Sequence, residues 1–101
     1  MPQAHSGCEL AYNYDWDAQT AIAICKAESG GNQNAYNGSN YNGTNDAGLF
    51  QINSCHVISG LIGNQERFNP ELNVEAAYKI YKGSGFTAWS AYNNGSYRRF
   101  L

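Results

Sequence analysis

The chain has 101 residues, 43% of them hydrophobic and 14% charged, with a net charge of −2 at pH 7. That length suits one domain over residues 1–101 with its own core, and the apolar fraction excludes a disordered chain. With no basic patch and no run of about 18 apolar residues, nothing points to nucleic acid as a partner or to membrane insertion by this segment. Polarity comes instead from Asn, Gly, Ser and Tyr, as on surfaces that bind sugars and on loop-rich extracellular ones.

No basic-plus-apolar leader opens the chain at Met1-Pro2-Gln3, so either a leader has been removed or the chain is one domain of a longer protein. Residues 1–14 suggest a short first helix with Cys8, Leu10, Tyr12 and Tyr14 as contacts. A second helix is expected over residues 18–29. Asp17 is its N-cap and Trp16 a hydrophobic staple, and Ala21, Ile22, Cys25 and Glu28 share one face. Gly30 or Gly31 supplies a left-handed C-cap, and Cys25, one turn before Glu28, is expected to be buried.

Residues 32–45 are dense in Asn, Gly, Ser and Tyr, and Asn37-Gly38 and Asn42-Gly43 are turn signals, so a small irregular hairpin is expected. A calcium loop is set aside because the stretch offers a single carboxylate, Asp46. Residues 49–53 read as a strand, with Leu49 and Gln51 facing one way and Phe50 and Ile52 the other. Residues 57–62 form a weak helix or loop ended by Gly63. Asn69 caps the next helix with Pro70 at its first position, and Asn73, Ala76, Ala77 and Ile80 face inward. Lys79 and Lys82 suit its last turn, and Gly83-Ser84-Gly85 ends it. Residues 87–92 form a short helical segment carrying Trp89, followed by a final turn over residues 96–101. The sum is α+β and mainly α.

Cys8, Cys25 and Cys55 leave two alternatives: one disulfide with a free thiol suits an exported protein, three thiols a cytosolic one. Neither they nor His5 and His56 have zinc-ligand spacing, so no metal and no cofactor is implied. Cys55 beside His56 is not by itself a nucleophile–base pair, since adjacency in sequence is not the required geometry.

Two carboxylates stand out by context. Glu28 lies at a helix C-terminus, whose dipole disfavours ionisation, and apolar cover would raise its pKa further. Asp46 lies among turn-forming Asn residues that can solvate an anion. The plain alternative is a surface Glu and an Asx-turn Asp. If both face one cleft, their environments push their protonation apart, as in a glycosidase dyad.

Four segments in order support the dyad. Ala27-Glu28-Ser29-Gly30-Gly31, Asp46-Ala47-Gly48-Leu49-Phe50-Gln51-Ile52-Asn53-Ser54, Asn69-Pro70 with Asn73-Val74-Glu75-Ala76-Ala77-Tyr78, and Ala88-Trp89-Ser90-Ala91-Tyr92-Asn93-Asn94-Gly95 resemble the lysozyme superfamily. They are similar to the core shared by c-type lysozymes and the soluble lytic transglycosylase family, over roughly residues 15–95.

The resemblance implies a lysozyme-like fold, helices around a cleft with a small β-hairpin, acting as a monomer on peptidoglycan glycan strands outside the cytoplasm. The chain would stand alone or be part of a larger or phage-borne protein. The resemblance makes Glu28 the acid and Asp46 the second carboxylate, with Gln51, Asn53, Trp89, Tyr92 and Asn93 lining the sugar cleft. Trp89 would pack on Glu28, and Tyr92 would reach it as in the transglycosylases. Ser29-Gly30-Gly31 and Tyr92-Asn93 lean towards transglycosylases, Asp46 towards hydrolases, and half-cystines of animal c-type lysozymes lack counterparts. Three activities follow: a muramidase cutting the MurNAc-β-1,4-GlcNAc bond, a lytic transglycosylase using Glu28 alone, and a non-catalytic glycan binder.

Overall fold

The computed structural model describes residues 5–101; the chain start at Met1-Pro2-Gln3 lies outside the described residues. Helix α1, Ala18–Ser29, begins where Asp17 Oδ1 accepts from the Thr20 amide at 3.3 Å and ends at Gly30, which is left-handed with φ 65°. The Ser29 hydroxyl donates to Cys25 O at 3.0 Å and accepts from the Gly31 amide at 3.1 Å, closing the helix beside Glu28. Residues Ala21, Ile22, Ala23, Ile24 and Cys25 are buried, so α1 runs through the core and exposes only its ends.

Helix α3, Pro70–Ser84, is the second pillar. Asn69 Oδ1 accepts from Leu72 N at 3.0 Å and Pro70 occupies the first turn, where its missing N–H costs nothing. Asn73, Val74, Ala76 and Ala77 are buried, and Gly85 caps the end. Between α1 and α3 lie the β-region and α2, Cys55–Ile58; a broken C-terminal run with α4, Ser90–Asn93, then closes the fold. Leu49, Phe50, Ile52 and Val74, each at most 1% exposed, join Ile24 in one core cluster. Burying each such side chain contributes about 1.5–3 kcal/mol.

Several expectations change. The first helix is a 3-10 turn, Gly7–Asn13, docked by Cys8, Leu10 and Ala11 and tied to α1 by a Cys8–Cys25 disulfide; Cys55 is free and exposed. Trp16, the expected staple of α1, also packs on rings of other elements. Its ring lies 5.3–5.9 Å from those of Phe50, Tyr78, Tyr81 and Phe86, and its Nε1 donates to Ala11 O at 2.7 Å. A large aromatic gains more from a cluster of rings than from one small residue of its own helix.

The hairpin is a three-stranded antiparallel sheet of two-residue strands: β1, Tyr36–Asn37, β2, Asp46–Ala47, and β3, Ile52–Asn53, in that order. Its two Asn-Gly pairs do not make two-residue turns. Asn37 ends β1 and Asn42-Gly43 lies in the β1–β2 connection, and the Asn37 and Asn42 side chains accept from the amides of Ser39 and Thr44. The strand expected over residues 49–53 shrinks to its last two residues. Gly48 to Gln51 form a turn in which Gly48 has φ 84° and Gln51 φ 50°, and Leu49 and Phe50 both point inward. A run of apolar residues closing a turn over the core imitates a strand. The segment around Trp89 is also broken: Gly85–Ala88 is 3-10, Trp89 is extended, and α4 starts afresh. The closing turn is a 3-10 helix, Ser96–Phe100.

Candidate active site

A cleft of about 230 Å³ opens between the sheet and the helices, with Glu28, Asp46, Gln51, Asn53, His56 and Trp89 in its lining. Glu28 enters it from the last turn of α1. That turn carries Ala23, Ile24 and Cys25 into the core, so the following residues emerge at its rim, and Gly30 turns the backbone away. The carboxylate is half-buried, and the Ala91 amide donates to its Oε2 at 3.4 Å. Burial pushes its pKa above the ordinary 4.5; the Ala91 N–H opposes that shift and the charge of Asp46 adds to it.

Asp46 faces the same cleft from β2. Its Oδ1 accepts from Asn53 Nδ2 at 2.9 Å and its Oδ2 from Asn40 Nδ2 at 3.0 Å. The strand register explains the first contact: Asp46 is paired directly with Asn53, so their side chains share a face of the sheet. Both amides also donate to Thr44 Oγ1 at 3.1 Å. Asp46 is thus seated by two neutral amide donors.

The other residues expected from the sequence divide. Gln51 and Asn53 line the cleft, but their amide donors serve the fold: Gln51 Nε2 bonds Ala35 O and Gly48 O, while Asn53 Nδ2 bonds Thr44 and Asp46. Trp89 is 6% exposed, forms part of the wall, and donates from Nε1 to Phe50 O at 2.9 Å. Tyr92 and Asn93 are not in the lining. Tyr92 packs between Phe86 and Tyr97, at 5.7 and 5.0 Å, and Asn93 Nδ2 donates to Thr87 O at 2.8 Å. The backbone amide of Ala91, rather than the Tyr92 hydroxyl, bonds Glu28.

His56, Ile80, Ala88 and Ser90 also line the cleft, and the sequence reading did not assign them to it. His56 stands three residues past Asn53, on α2, and reaches the cleft from there. Burial lowers its pKa, so it enters the cleft as a neutral imidazole at pH 7. Among the described residues no cluster of His, Cys, Asp or Glu is suited to a metal. The arrangement joins a carboxylic acid that holds its proton unusually well to a carboxylate anchored by amides, across a cleft open to solvent. That pair can deliver a proton to a leaving oxygen and answer positive charge on the adjoining carbon.

A family model described as "Lysozyme like domain" matches residues 8–91, which takes in every element from the first 3-10 turn to the start of α4. No curated protein matches the chain.

Proposed function

This chain belongs to the lysozyme-like domain family, whose members cleave glycans, and from that premise we propose that it is a muramidase cutting the MurNAc-β-1,4-GlcNAc bond of peptidoglycan. Glu28, protonated, gives its proton to the glycosidic oxygen as the bond to the anomeric carbon breaks. Asp46 stabilises the oxocarbenium-like sugar or traps it covalently. Glu28, now ionised, then takes a proton from the attacking water. What supports this is the opposition of the two carboxylates across one cleft, one with its pKa raised by burial and the other held by two amides. An apolar wall that raises the pKa of a catalytic acid is the arrangement for which lysozyme itself is the standard example.

A second mechanism has its own support. Glu28 is bonded by a backbone amide and needs no partner carboxylate to act twice, first as acid and then as base, as in a lytic transglycosylase that closes a 1,6-anhydro ring. The product separates the two. Mass spectrometry of muropeptides released from purified sacculi is expected to show reducing ends. Anhydro ends would reassign the chain to the lyase route, and binding without release would make it a glycan-binding member of the fold.

The setting is extracytoplasmic. A disulfide between Cys8 and Cys25 suits an oxidising compartment, and no helix among the described residues is long and apolar enough to cross a membrane. Glycan strands are the partner. No metal or other cofactor enters the scheme.

A further inference from the structure

Outside the cleft lining, Arg67 is 2% exposed. Its guanidinium has five N–H donors, and five contacts take them. Nε bonds Asn64 O at 3.3 Å, Nη1 bonds Ile52 O at 2.9 Å and Asn45 O at 3.4 Å, and Nη2 bonds Asn45 Oδ1 at 2.8 Å and Asn64 Oδ1. None of these partners is a carboxylate. The one ion pair among the described residues joins Lys79 to Glu75 elsewhere. No carboxylate bonds it directly, although the charge of Asp46 lies near enough to favour the cation, and an apolar residue of similar size would fill the space without the cost of burying an ion. Stability alone therefore does not account for Arg67.

The places it grips do. Asn45 directly precedes Asp46, and Ile52 directly precedes Asn53, so one guanidinium holds the carbonyls leading into both members of the Asp46–Asn53 pair. From α3, Asn73 completes the frame. It donates to Ala47 O at 3.1 Å and to Arg67 O at 2.8 Å, and accepts from Phe50 N at 2.9 Å. Two-residue strands make too few ladder bonds to fix their own register, and a slip of one residue would turn Asp46 to the opposite face. Of the carbonyls flanking Asp46, that of Asn45 accepts from the Ser54 amide at 2.8 Å and from Arg67, and that of Ala47 accepts from Asn73, so side chains outside the sheet reinforce a short ladder.

We infer that Arg67 is a positioning residue for Asp46, locking the register of β2 and β3 so that Asp46 and Asn53 meet on the cleft face. This rests on the reading of Asp46 as the second carboxylate. Every donor of Arg67 is already engaged and none is free for substrate, so beyond its charge, which acts on Asp46 through space, it holds Asp46 through the bonded backbone.

The test is a double-mutant cycle of Arg67→Lys with Asp46→Asn, read by kcat and KM on soluble peptidoglycan fragments. It is paired with side-chain amide NMR of Asn40 and Asn53. Lysine keeps the charge but has three donors for five acceptors, so kcat is expected to fall about 10- to 100-fold with KM little changed. In the Asp46→Asn background most of that loss should vanish. The Asn40 and Asn53 amide signals should shift, while that of Asn93, bonded far from Arg67, should not. Equal losses in both backgrounds would overturn the inference, as would unmoved Asn40 and Asn53 signals. Should Arg67→Lys not fold, Asn64→Ala at an exposed position removes one acceptor from the clamp and must move the same two signals by less. The amide signals do not depend on turnover. If the wild-type chain releases no muropeptides, it is the functional reading that fails, and the signals still decide the role of Arg67.

Discussion

The cleft joins two regions built on different principles. On the helical side, Glu28 sits at the end of a helix whose interior is buried, tethered through Cys25 to Cys8 and walled by Trp89. On the sheet side, Asp46 sits on a two-residue strand held by polar bonds from Arg67, Asn73, Asn53 and Asn40. Apolar packing fixes one carboxylate and leaves it poorly solvated; hydrogen bonding fixes the other and solvates it. Two carboxylates are thus held by different material, and burial raises the pKa of the one in the helical wall.

The largest test of this contrast is chemical. Glu28→Gln keeps the shape of the side chain but removes the proton donor, and should cut turnover about 10²–10⁴-fold with the fold intact, read by muropeptide release and circular dichroism. Near wild-type clearing of sacculi by that variant would remove Glu28 from the acid's role.

Breaking the scaffold of each side comes next. Replacing Cys8 by Ser opens a closure of sequence separation 17 and should cost about 3 kcal/mol in urea denaturation, a loss felt mainly in how α1 is held. Gly48→Ala attacks the sheet side instead. A Cβ there would collide with Arg67 O and Asn73 Nδ2, at a φ of 84°. Strain of this kind costs about 1–3 kcal/mol before the clash is counted, so activity should fall while helical content measured by circular dichroism persists. If helicity and activity were lost together, the two sides would not be separable.

The smallest effect is a pH dependence. Burial raises the folded-state pKa of Glu28, so ionising it costs stability. That cost is absent below its ordinary value of 4.5, grows as pH rises through the raised folded value, and stays in place above it. Glu28→Gln should therefore melt slightly higher than wild type at pH 7 and lose that advantage below about pH 4.5. A gain that is the same at every pH would mean that desolvation of the carboxylate is not its source.

Much of the helical side was legible. Asp17, Gly30, Asn69 and Pro70 act within a few residues of themselves, so their capping roles follow from local chemistry and match the boundaries of α1 and α3. The sheet side was less so. Residues 49–53 alternate in a way that suits a strand, but Gly48 and Gln51, both at positive φ, fold Leu49 and Phe50 into the core together. Trp16 joins rings from residues 50 to 86, contacts that spacing along its own helix does not contain.

The sequence by itself determined the mainly helical α+β class, the family, and the two carboxylates with their surroundings, one at a helix end and one among asparagines. Those are consequences of neighbours along the chain and of ordered motifs. Only the tertiary structure decided that Cys8 pairs with Cys25, that His56 and not Tyr92 lines the cleft, and that a buried Arg67 grips the backbone beside Asp46. A charged residue between Glu66 and Phe68 carries no local sign of burial. Its place is set by acceptors at Asn45 and Ile52, 22 and 15 positions away, which meet it only once the chain has folded.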